Sequence, residues 1–260
     1  MPKKIKTKKV KEVVDKPTSG TNNLMQKILG KRLRIKHRSE KQKQFTNLIV
    51  ENEIILAAGP AGTGKSYLSI GKGLELVQNK TNKFEKLKIV KPAVEAGENL
   101  GFLPGDLKEK LEPYLASSID IIDKIVGKVQ REKLEEADIV SVEPLGFIRG
   151  KTIDNTILII EEAQNITPEQ MKTLLTRIGE NSKYIISGDL DQSDRFKQVT
   201  QTGLFDVFQK HADVEGVGTF IFGKEDIVRN PIIGRLLKNY NTTENFMNKP
   251  LLPNDDKNNS

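Results

Sequence analysis

The stretch EIILAAGPAGTGKSYLSIGKGLELV, residues 53–77, decides the fold class of this chain. An apolar run of strand length comes first, the segment GPAGTGKS follows it, and an amphipathic segment with helical spacing completes the stretch. Strand, glycine-rich loop and helix in this order are typical of a phosphate-binding loop, where backbone N–H groups and the positive end of the helix meet phosphates. A glycine-rich turn without function is the alternative, and the strand–loop–helix setting favours the phosphate site.

Each part of the loop has a predicted role. The glycines allow backbone turns and a close approach that side chains would block. Lys65 would bring an ammonium group to the outer phosphates of ATP, and Ser66 a hydroxyl group to Mg²⁺. The predicted nucleotide-binding residues here are Gly59, Pro60, Ala61, Gly62, Thr63, Gly64, Lys65, Ser66 and Tyr67.

The sequence around the loop predicts one α/β domain from residue 38 to residue 240, with a parallel sheet covered by helices on both faces. Apolar runs typical of strands buried on both faces lie at 53–58, 86–90, 139–142, 156–160, 184–187 and 217–222. Helices are predicted at 65–78, 106–126, 203–209 and 231–240. A further helix should begin with the capping box TPEQ, residues 167–170, and end at Gly179 in a left-handed turn.

The two ends of the chain differ from this domain in composition. Residues 1–37 predict a disordered basic arm with a short helix near 23–29, and residues 241–260 a disordered polar tail. Residues 1–43 carry 15 Lys or Arg against 3 Asp or Glu, while the rest of the chain carries 27 against 32. Such an arm could follow nucleic-acid phosphates or serve only as a solvated tail, and composition leaves both open.

Composition also limits the classes of function. The 260 residues contain no cysteine and two histidines, which excludes a disulfide framework and a cysteine or histidine metal cluster. No apolar run approaches 18 residues, so a soluble, cytoplasmic protein without a membrane partner is expected.

Two further polar segments follow predicted strands. TILIIEEAQN, residues 156–165, ends a buried strand with two carboxylates at the edge of the sheet where α/β ligands bind. There Glu161 would hold Mg²⁺ and Glu162 would deprotonate the attacking water, whereas a solvated acidic turn is the alternative. In YIISGDLDQSD, residues 184–194, Gln192 or Asp189 could contact the γ-phosphate or the water.

The chain from about residue 42 to 240 resembles the PhoH family of P-loop ATPases, whose core is similar to one RecA-like domain of superfamily 1 helicases. The resemblance rests on GPAGTGKS, KPAVEAGENLGFLPGDL (91–107), PLGFIRGKT (144–152), EEAQN (161–165), the segment MKTLLTRIGENSKYIISGDLDQSD (171–194) and DIVRNP (226–231). It implies ATP hydrolysis and a sheet in which the sensor strand separates the phosphate-loop strand from the acidic strand.

The resemblance also implies roles for single residues. Gln42 stands where related proteins read the adenine edge, and Arg229 matches an arginine that resembles an arginine finger. Glu161 replaces the usual Asp, which shifts the carboxylate by about 1.5 Å and puts the turnover rate in doubt. Asn230 replaces the usual His, which affects the expected subunit contact.

These features predict a homo-oligomeric ring. With one RecA-like domain expected, Arg229 would enter the site of a neighbouring subunit head to tail. An ion pair of Arg229 with Glu225 or Asp226 is the alternative, and Arg149 could contact nucleic acid or form a salt bridge.

The expected function is a helicase-like ATPase that couples hydrolysis to remodelling of RNA or another single-stranded nucleic acid. With 10 Phe, 4 Tyr and no Trp, aromatic platforms on which single strands could stack would be few. A nucleotide-dependent switch or scaffold with little hydrolysis is the alternative. A small-molecule phosphotransferase is disfavoured, because a water-activating Glu next to the metal ligand promotes hydrolysis.

Overall fold

Six parallel strands form one sheet in the computed structural model, which describes residues 20–92, 107–148, 150 and 152–228. The strand order is β3-β2-β4-β5-β1-β6. The phosphate-loop strand β1 and the acidic strand β4 thus lie on either side of β5, as the family resemblance implied. The strands are β1 (Ile54–Ala58), β2 (Lys86–Lys91), β3 (Val140–Pro144), β4 (Thr156–Ile160), β5 (Lys183–Gly188) and β6 (Val217–Ile221).

Seven α-helices accompany the sheet within the described residues, and they cover both of its faces. Alternate residues of β4 belong to opposite cores: Ile157 and Ile159 join one cluster, and Leu158 and Ile160 the other. The first cluster includes residues of α1 to α5, and the second residues of α6 and α7. The helices are α1 (Thr21–Leu29), α2 (Glu40–Glu51), α3 (Lys65–Gln78), α4 (Leu107–Val126), α5 (Lys128–Glu136), α6 (Pro168–Leu175) and α7 (Gly203–His211).

The six strands and the α/β class, with a parallel sheet covered on both faces, are confirmed, as are the helices predicted at 65–78, 106–126 and 203–209. The helix predicted to begin at the capping box is confirmed at its start but not at its end. The capping box is formed, because the Thr167 hydroxyl accepts from the Gln170 N–H and the Gln170 side chain accepts from the Thr167 N–H. The predicted end at Gly179 is wrong, since α6 ends at Leu175. The Gly179 N–H instead donates to the Ile153 carbonyl at 2.9 Å, so this stretch pairs with another loop rather than extending the helix.

The N-terminal segment also differs from its prediction. Helix α1 confirms the short helix, but residues 20–37 are packed rather than disordered, because Met25, Leu29 and Leu33 are buried in the same core as α3. Met25 and Leu29 lie one helical turn apart on α1 and therefore face that core together, and Leu33 joins them from the segment that follows the helix. Residues 1–19, the tail 241–260 and the predicted helix 231–240 lie outside the described residues. None of the helices described is long and apolar enough to cross a membrane.

Candidate nucleotide-phosphate site

One cavity of about 920 Å³ collects most of the residues predicted to handle ATP. It lies at the carboxyl ends of β1, β4 and β5, the edge at which parallel α/β sheets bind ligands. The phosphate loop, the acidic pair and the sensor segment all line it, through residues that include Lys65, Ser66, Glu161, Glu162, Asp189 and Gln192. The site residues predicted from three separate motifs therefore meet in one place.

The phosphate loop depends on glycine at two positions where the backbone is crowded. Gly59 has φ of 146°, and a Cβ there would lie 2.6 Å from the carbonyl oxygen of Phe222. Gly64 has φ of 93° and caps α3, and a Cβ there would lie 2.9 Å from Nε2 of Gln42. Both positions combine a left-handed backbone with a close neighbour, so only glycine fits without strain. The loop thereby delivers the free N–H groups at the start of α3 to the cavity.

Lys65, the first residue of α3, is folded back over the loop. Its Nζ donates to the carbonyl oxygens of Gly59 at 2.5 Å and Pro60 at 2.9 Å. Burial lowers the pKa of Lys65, while the nearby carboxylates of Asp189 and Glu162 act in the opposite direction. Because a charged phosphate oxygen is a stronger acceptor than a neutral carbonyl, a bound nucleotide can draw the ammonium group away from these bonds.

Glu161 is almost fully buried at the end of β4. Its Oε2 accepts a hydrogen bond from the Ser118 hydroxyl on α4 and lies 3.4 Å from Nζ of Lys91. The Glu161 residue is 1% exposed and Lys91 is 8% exposed. The other carboxylate oxygen, Oε1, is buried and has no hydrogen-bond partner within the part of the chain described. One oxygen is thus fixed by protein and the second remains available to a ligand.

Glu162 has the opposite character, since it is exposed to the cavity. Its backbone is left-handed with φ of 53°, a conformation that is costly for a residue with a side chain and that concentrates at functional sites. The Gln164 side chain donates to Oε2 of Glu162 at 2.7 Å and accepts from the Asp189 N–H at 3.1 Å. Gln164 therefore links the acidic pair to the sensor segment.

The carboxylates fit a magnesium ion that nucleotide oxygens and water help to coordinate. Two buried carboxylate oxygens in this cavity lack a partner among the described residues, Oε1 of Glu161 and Oδ2 of Asp189. Ser66 adds a hydroxyl group to the same cavity. No group of three His, Cys, Asp or Glu in the described ranges could hold a metal alone. In phosphate sites Mg²⁺ is bound by one or two protein carboxylates and keeps several waters, so the two partly free carboxylates and the Ser66 hydroxyl suit it.

Comparison with known proteins identifies the family. The family model described as PhoH-like protein matches residues 34–241. The chain belongs to the PhoH family. The PhoH-like protein of Bacillus subtilis is 39% identical to this chain, in a match that covers 81% of this chain and 65% of the Bacillus protein. Protein PhoH of Escherichia coli is 37% identical, and that match covers 78% of this chain and 57% of the Escherichia protein. The chain thus covers less than two thirds of the length of these relatives. A crystal structure of Pif1 helicase from Candida albicans has a TM-score of 0.42 and 18% identity, covering 80% of this chain and 44% of that one.

Membership of the PhoH family and the parallel sheet together indicate a nucleotide-binding P-loop NTPase. The quoted family motifs lie only partly in the described region. Most of KPAVEAGENLGFLPGDL falls outside it, as do Arg149, Arg229 and Asn230. The roles predicted for these residues stay predictions.

Gln42 lines the cavity, but both ends of its amide are already bonded to protein. Its Nε2 donates to the Thr63 carbonyl at 2.9 Å, and its Oε1 accepts from the Arg38 N–H at 2.8 Å. The residue is 3% exposed. In this arrangement Gln42 fastens the phosphate loop of this PhoH-family chain to α2, and reading an adenine edge would require it to exchange these bonds.

The remaining predicted residues lie at the rim of the cavity. Gln192 is exposed and lines the cavity, with its N–H bonded to the Asp189 carbonyl at 3.4 Å. Tyr67 is 37% exposed and also lines it. Both are placed to contact a ligand that enters from solvent.

Three residues of this PhoH-family site were missed by the sequence reasoning. Lys91 and Ser118 hold Glu161, and Gln164 holds Glu162. Gln164 stands inside the quoted EEAQN and Lys91 begins KPAVEAGE, so both were visible as motif members without an assigned role. Ser118 gave no signal, because a serine in the middle of a helical pattern has no distinguishing neighbour.

Proposed function

We propose that this chain hydrolyses ATP to ADP and phosphate, with Mg²⁺ as cofactor. The observation that carries the proposal is the geometry of the acidic pair. Glu161 is buried with one free oxygen, while Glu162 is exposed beside it and held by Gln164. Glu161 is thus suited to bind a metal ion and Glu162 to accept a proton from a water molecule. Phosphoryl transfer to water needs both a metal on the phosphates and a base for the attacking water.

In the proposed reaction the chain supplies positioning and proton transfer. The loop N–H groups and Lys65 hold the β- and γ-phosphates, and Ser66 and Glu161 would hold Mg²⁺, which neutralises charge on those phosphates. Glu162 accepts a proton from water as the water oxygen bonds to the γ-phosphorus. The bond from that phosphorus to the β–γ bridging oxygen breaks, and ADP leaves with the electron pair. Asp189 or Gln192 would contact the γ-phosphate.

A nucleotide-dependent switch with little hydrolysis is the second candidate. It is favoured by the Lys91 ammonium, which already neutralises much of the charge on Glu161 and so competes with a metal ion. It predicts tight nucleotide binding with turnover that does not depend on Glu162.

Phosphate release from ATP by the purified chain, compared with Lys65→Ala and Glu162→Gln, separates these functions. We expect Glu162→Gln to lower kcat by about 10² to 10⁴ while binding ATP as the wild type does. Lys65→Ala should lose nucleotide affinity itself. Hydrolysis that survives Glu162→Gln unchanged would exclude Glu162 as the base, and binding without any hydrolysis in the wild type would favour the switch.

The proposal includes a ring in which Arg229 acts in the site of a neighbouring subunit. Support comes from the single RecA-like sheet among the described residues, and from Asp226, which is already paired with Lys41 at 3.5 Å and accepts from the Gly223 N–H. An ion pair of Arg229 with Asp226 is therefore less favourable. One contact favours the opposite alternative, in which Arg229 acts within its own subunit: the Val228 N–H donates to the Gly62 carbonyl of the same chain's phosphate loop at 3.0 Å.

Mixing two inactive variants tests whether Arg229 acts between subunits. Arg229→Ala and Lys65→Ala chains should restore hydrolysis when combined, because some sites then join an intact loop to an intact arginine. Arginine fingers contribute about 10³ to 10⁵ in rate, so the recovery should be easy to measure. No recovery in a mixture that sedimentation shows to be co-assembled would place the arginine in its own chain's site.

The proposed partner is RNA or single-stranded DNA, and the proposed location is the cytoplasm, which the absence of cysteine fits. Stimulation of phosphate release by one of the two polymers would identify the partner. Equal rates with and without either polymer would argue against a nucleic-acid motor.

A further inference from the structure

A row of basic side chains crosses the outer surface of α3, away from the motifs that handle the nucleotide. It is formed by the segment Lys31–Lys36, here called the basic strap, whose sequence is KRLRIK and in which basic and apolar residues alternate from Arg32 onward. Leu33 is buried and Ile35 packs against the core, while the four basic side chains are exposed. The alternation therefore places Arg32, Arg34 and Lys36 on the solvent side, and Lys31 is exposed just before it.

The strap is built into the fold rather than loosely laid on it. Its backbone N–H groups at Leu33 and Ile35 donate to the side chains of Gln78 at 2.7 Å and Glu75 at 2.5 Å, both on α3. The Gln78 amide returns a bond to the Lys31 carbonyl at 2.7 Å. A Cβ at Gly71 of α3 would lie 2.9 Å from Ile35, so the two segments are in close contact. The backbone that carries the four charges is consequently held in place against α3.

These charges have little local compensation. Within the described residues, none of the four basic strap side chains forms an ion pair. Two cavities of about 520 and 270 Å³ flank the strap, and Lys72, Lys80 and Lys124 add to their linings. The only acidic residue in either lining is Glu75, which is already bonded to Ile35 and Lys72. Basic side chains therefore outnumber acidic ones on this surface, which suits a polyanion.

The row leads to the nucleotide cavity. Lys36, Tyr67 and Lys124 line both the smaller strap cavity and the cavity of the phosphate loop. Tyr67 follows Ser66 in the first turn of α3, and it is exposed where the two cavities meet. A linear ligand on the strap would thus touch the helix that carries the predicted phosphate and metal contacts.

We propose that the basic strap binds the phosphodiester backbone of a single-stranded nucleic acid and leads it toward the nucleotide cavity. Alternate side chains on an extended segment are about 6.6 Å apart, which gives a linear series of phosphate contacts. A membrane surface is a poorer fit, since such surfaces are bound by broad faces with apolar side chains for insertion, and the strap turns its apolar residues inward. This proposal rests on the proposed function in one respect: the choice of a single-stranded nucleic acid as the polyanion.

The test is the salt dependence of binding of a fluorescent single-stranded RNA to the full chain, measured by anisotropy. The variant is Arg32→Gln with Arg34→Gln, because neither residue lines the nucleotide cavity. Each phosphate contact on a single strand contributes about 0.7 to the slope of log affinity against log salt. The double variant should therefore lower the magnitude of the slope by about 1.4, and weaken binding about 25-fold at 0.1 M salt.

Two further variants make the result specific. Arg32→Lys with Arg34→Lys keeps both charges and should retain most of the slope. Lys172→Gln with Lys197→Gln removes two exposed charges elsewhere, one of them on α6 on the opposite face of the sheet, and should leave the slope near the wild-type value. Equal losses in this control and in the strap variant would show nonspecific attraction and overturn the proposal.

The outcomes separate this inference from the proposed hydrolysis. Wild-type hydrolysis together with unchanged RNA binding by the strap variant overturns the strap site and leaves the ATPase intact. Strap-dependent RNA binding in a chain that fails to hydrolyse ATP supports the strap and defeats the ATPase. If the strap variant lost binding to phosphatidylserine vesicles but bound RNA as the wild type does, the strap would be a membrane-binding segment, and the nucleic-acid proposal would be overturned.

Discussion

The carboxylate of Glu161 lies 3.4 Å from the ammonium group of Lys91, in a buried ion pair at the carboxyl ends of adjacent strands. The Ser118 hydroxyl donates to the same carboxylate oxygen from α4. Glu161 reaches these partners with a side chain one methylene longer than the aspartate usual in the family. The residue that departs from the family pattern is thus held in place by two side chains from other elements, through one of its two carboxylate oxygens.

Breaking this pair from one side should destabilise the fold strongly. Lys91→Met leaves a buried carboxylate without its cation, and Glu161→Gln leaves a buried ammonium group without its anion, at about 3 to 5 kcal/mol each. The double variant should lose clearly less than the sum, since the uncompensated charge is gone. Urea unfolding of the four proteins in a double-mutant cycle measures this coupling. Additive losses would mean that the pair contributes little.

Gln164 should act on turnover more than on binding. Gln164→Ala frees the Glu162 carboxylate and removes the acceptor of the Asp189 N–H, so we expect kcat to fall about tenfold or more and KM to change little. Gln209→Ala, at an exposed position of α7, is the matched control and should match the wild type. A parallel rise in KM would indicate that Gln164 shapes nucleotide binding instead of positioning the base.

Much of this architecture follows from local sequence. Buried parallel strands appear as continuous apolar runs, and β4 and α3 were predicted at their observed bounds. The ends of segments were harder, because they depend on distant partners: α6 stops where the following chain bonds to Ile153. The packing of residues 20–37 was missed because only a few apolar residues carry it, among a majority of polar and basic ones.

The candidate site shows the same division. Lys65, Ser66 and the two glutamates belong to short motifs with fixed spacing, so their meeting in one cavity was predictable. Lys91 and Ser118 come from β2 and α4, which are far from Glu161 in sequence, and only the folded chain brings them together. Contacts of this kind have no local pattern to detect.

The N-terminal helix gives a direct test of the corrected domain boundary. Met25 is fully buried, whereas its neighbour Leu24 is 43% exposed. Met25→Ala should lower the free energy of unfolding by about 2 to 5 kcal/mol, and Leu24→Ala by less than about 0.5 kcal/mol. Chemical denaturation of both variants measures the difference. Equally small changes in the free energy of unfolding for both variants would mean that α1 does not pack on the core and belongs to a disordered arm, as the sequence predicted.

Lys183 should make stability depend on pH in the alkaline range. Lys183 is 5% exposed, and its ammonium group donates to the Asn52 carbonyl. Burial lowers the pKa of Lys183 from 10.5 to about 8. Between pH 8 and pH 10.5 the Lys183 side chain is protonated in the unfolded chain but not in the folded chain. The free energy by which Lys183 destabilises the fold is therefore largest below about pH 8 and falls to zero as the pH rises to about 10.5. Lys183→Met should therefore stabilise the chain relative to the wild type most at pH 7.

Urea unfolding at pH 7 and pH 10, with exposed Lys172→Met as the control, measures this change. A stability difference between Lys183→Met and wild type that is the same at both pH values would show that the lysine keeps its ordinary pKa in the fold.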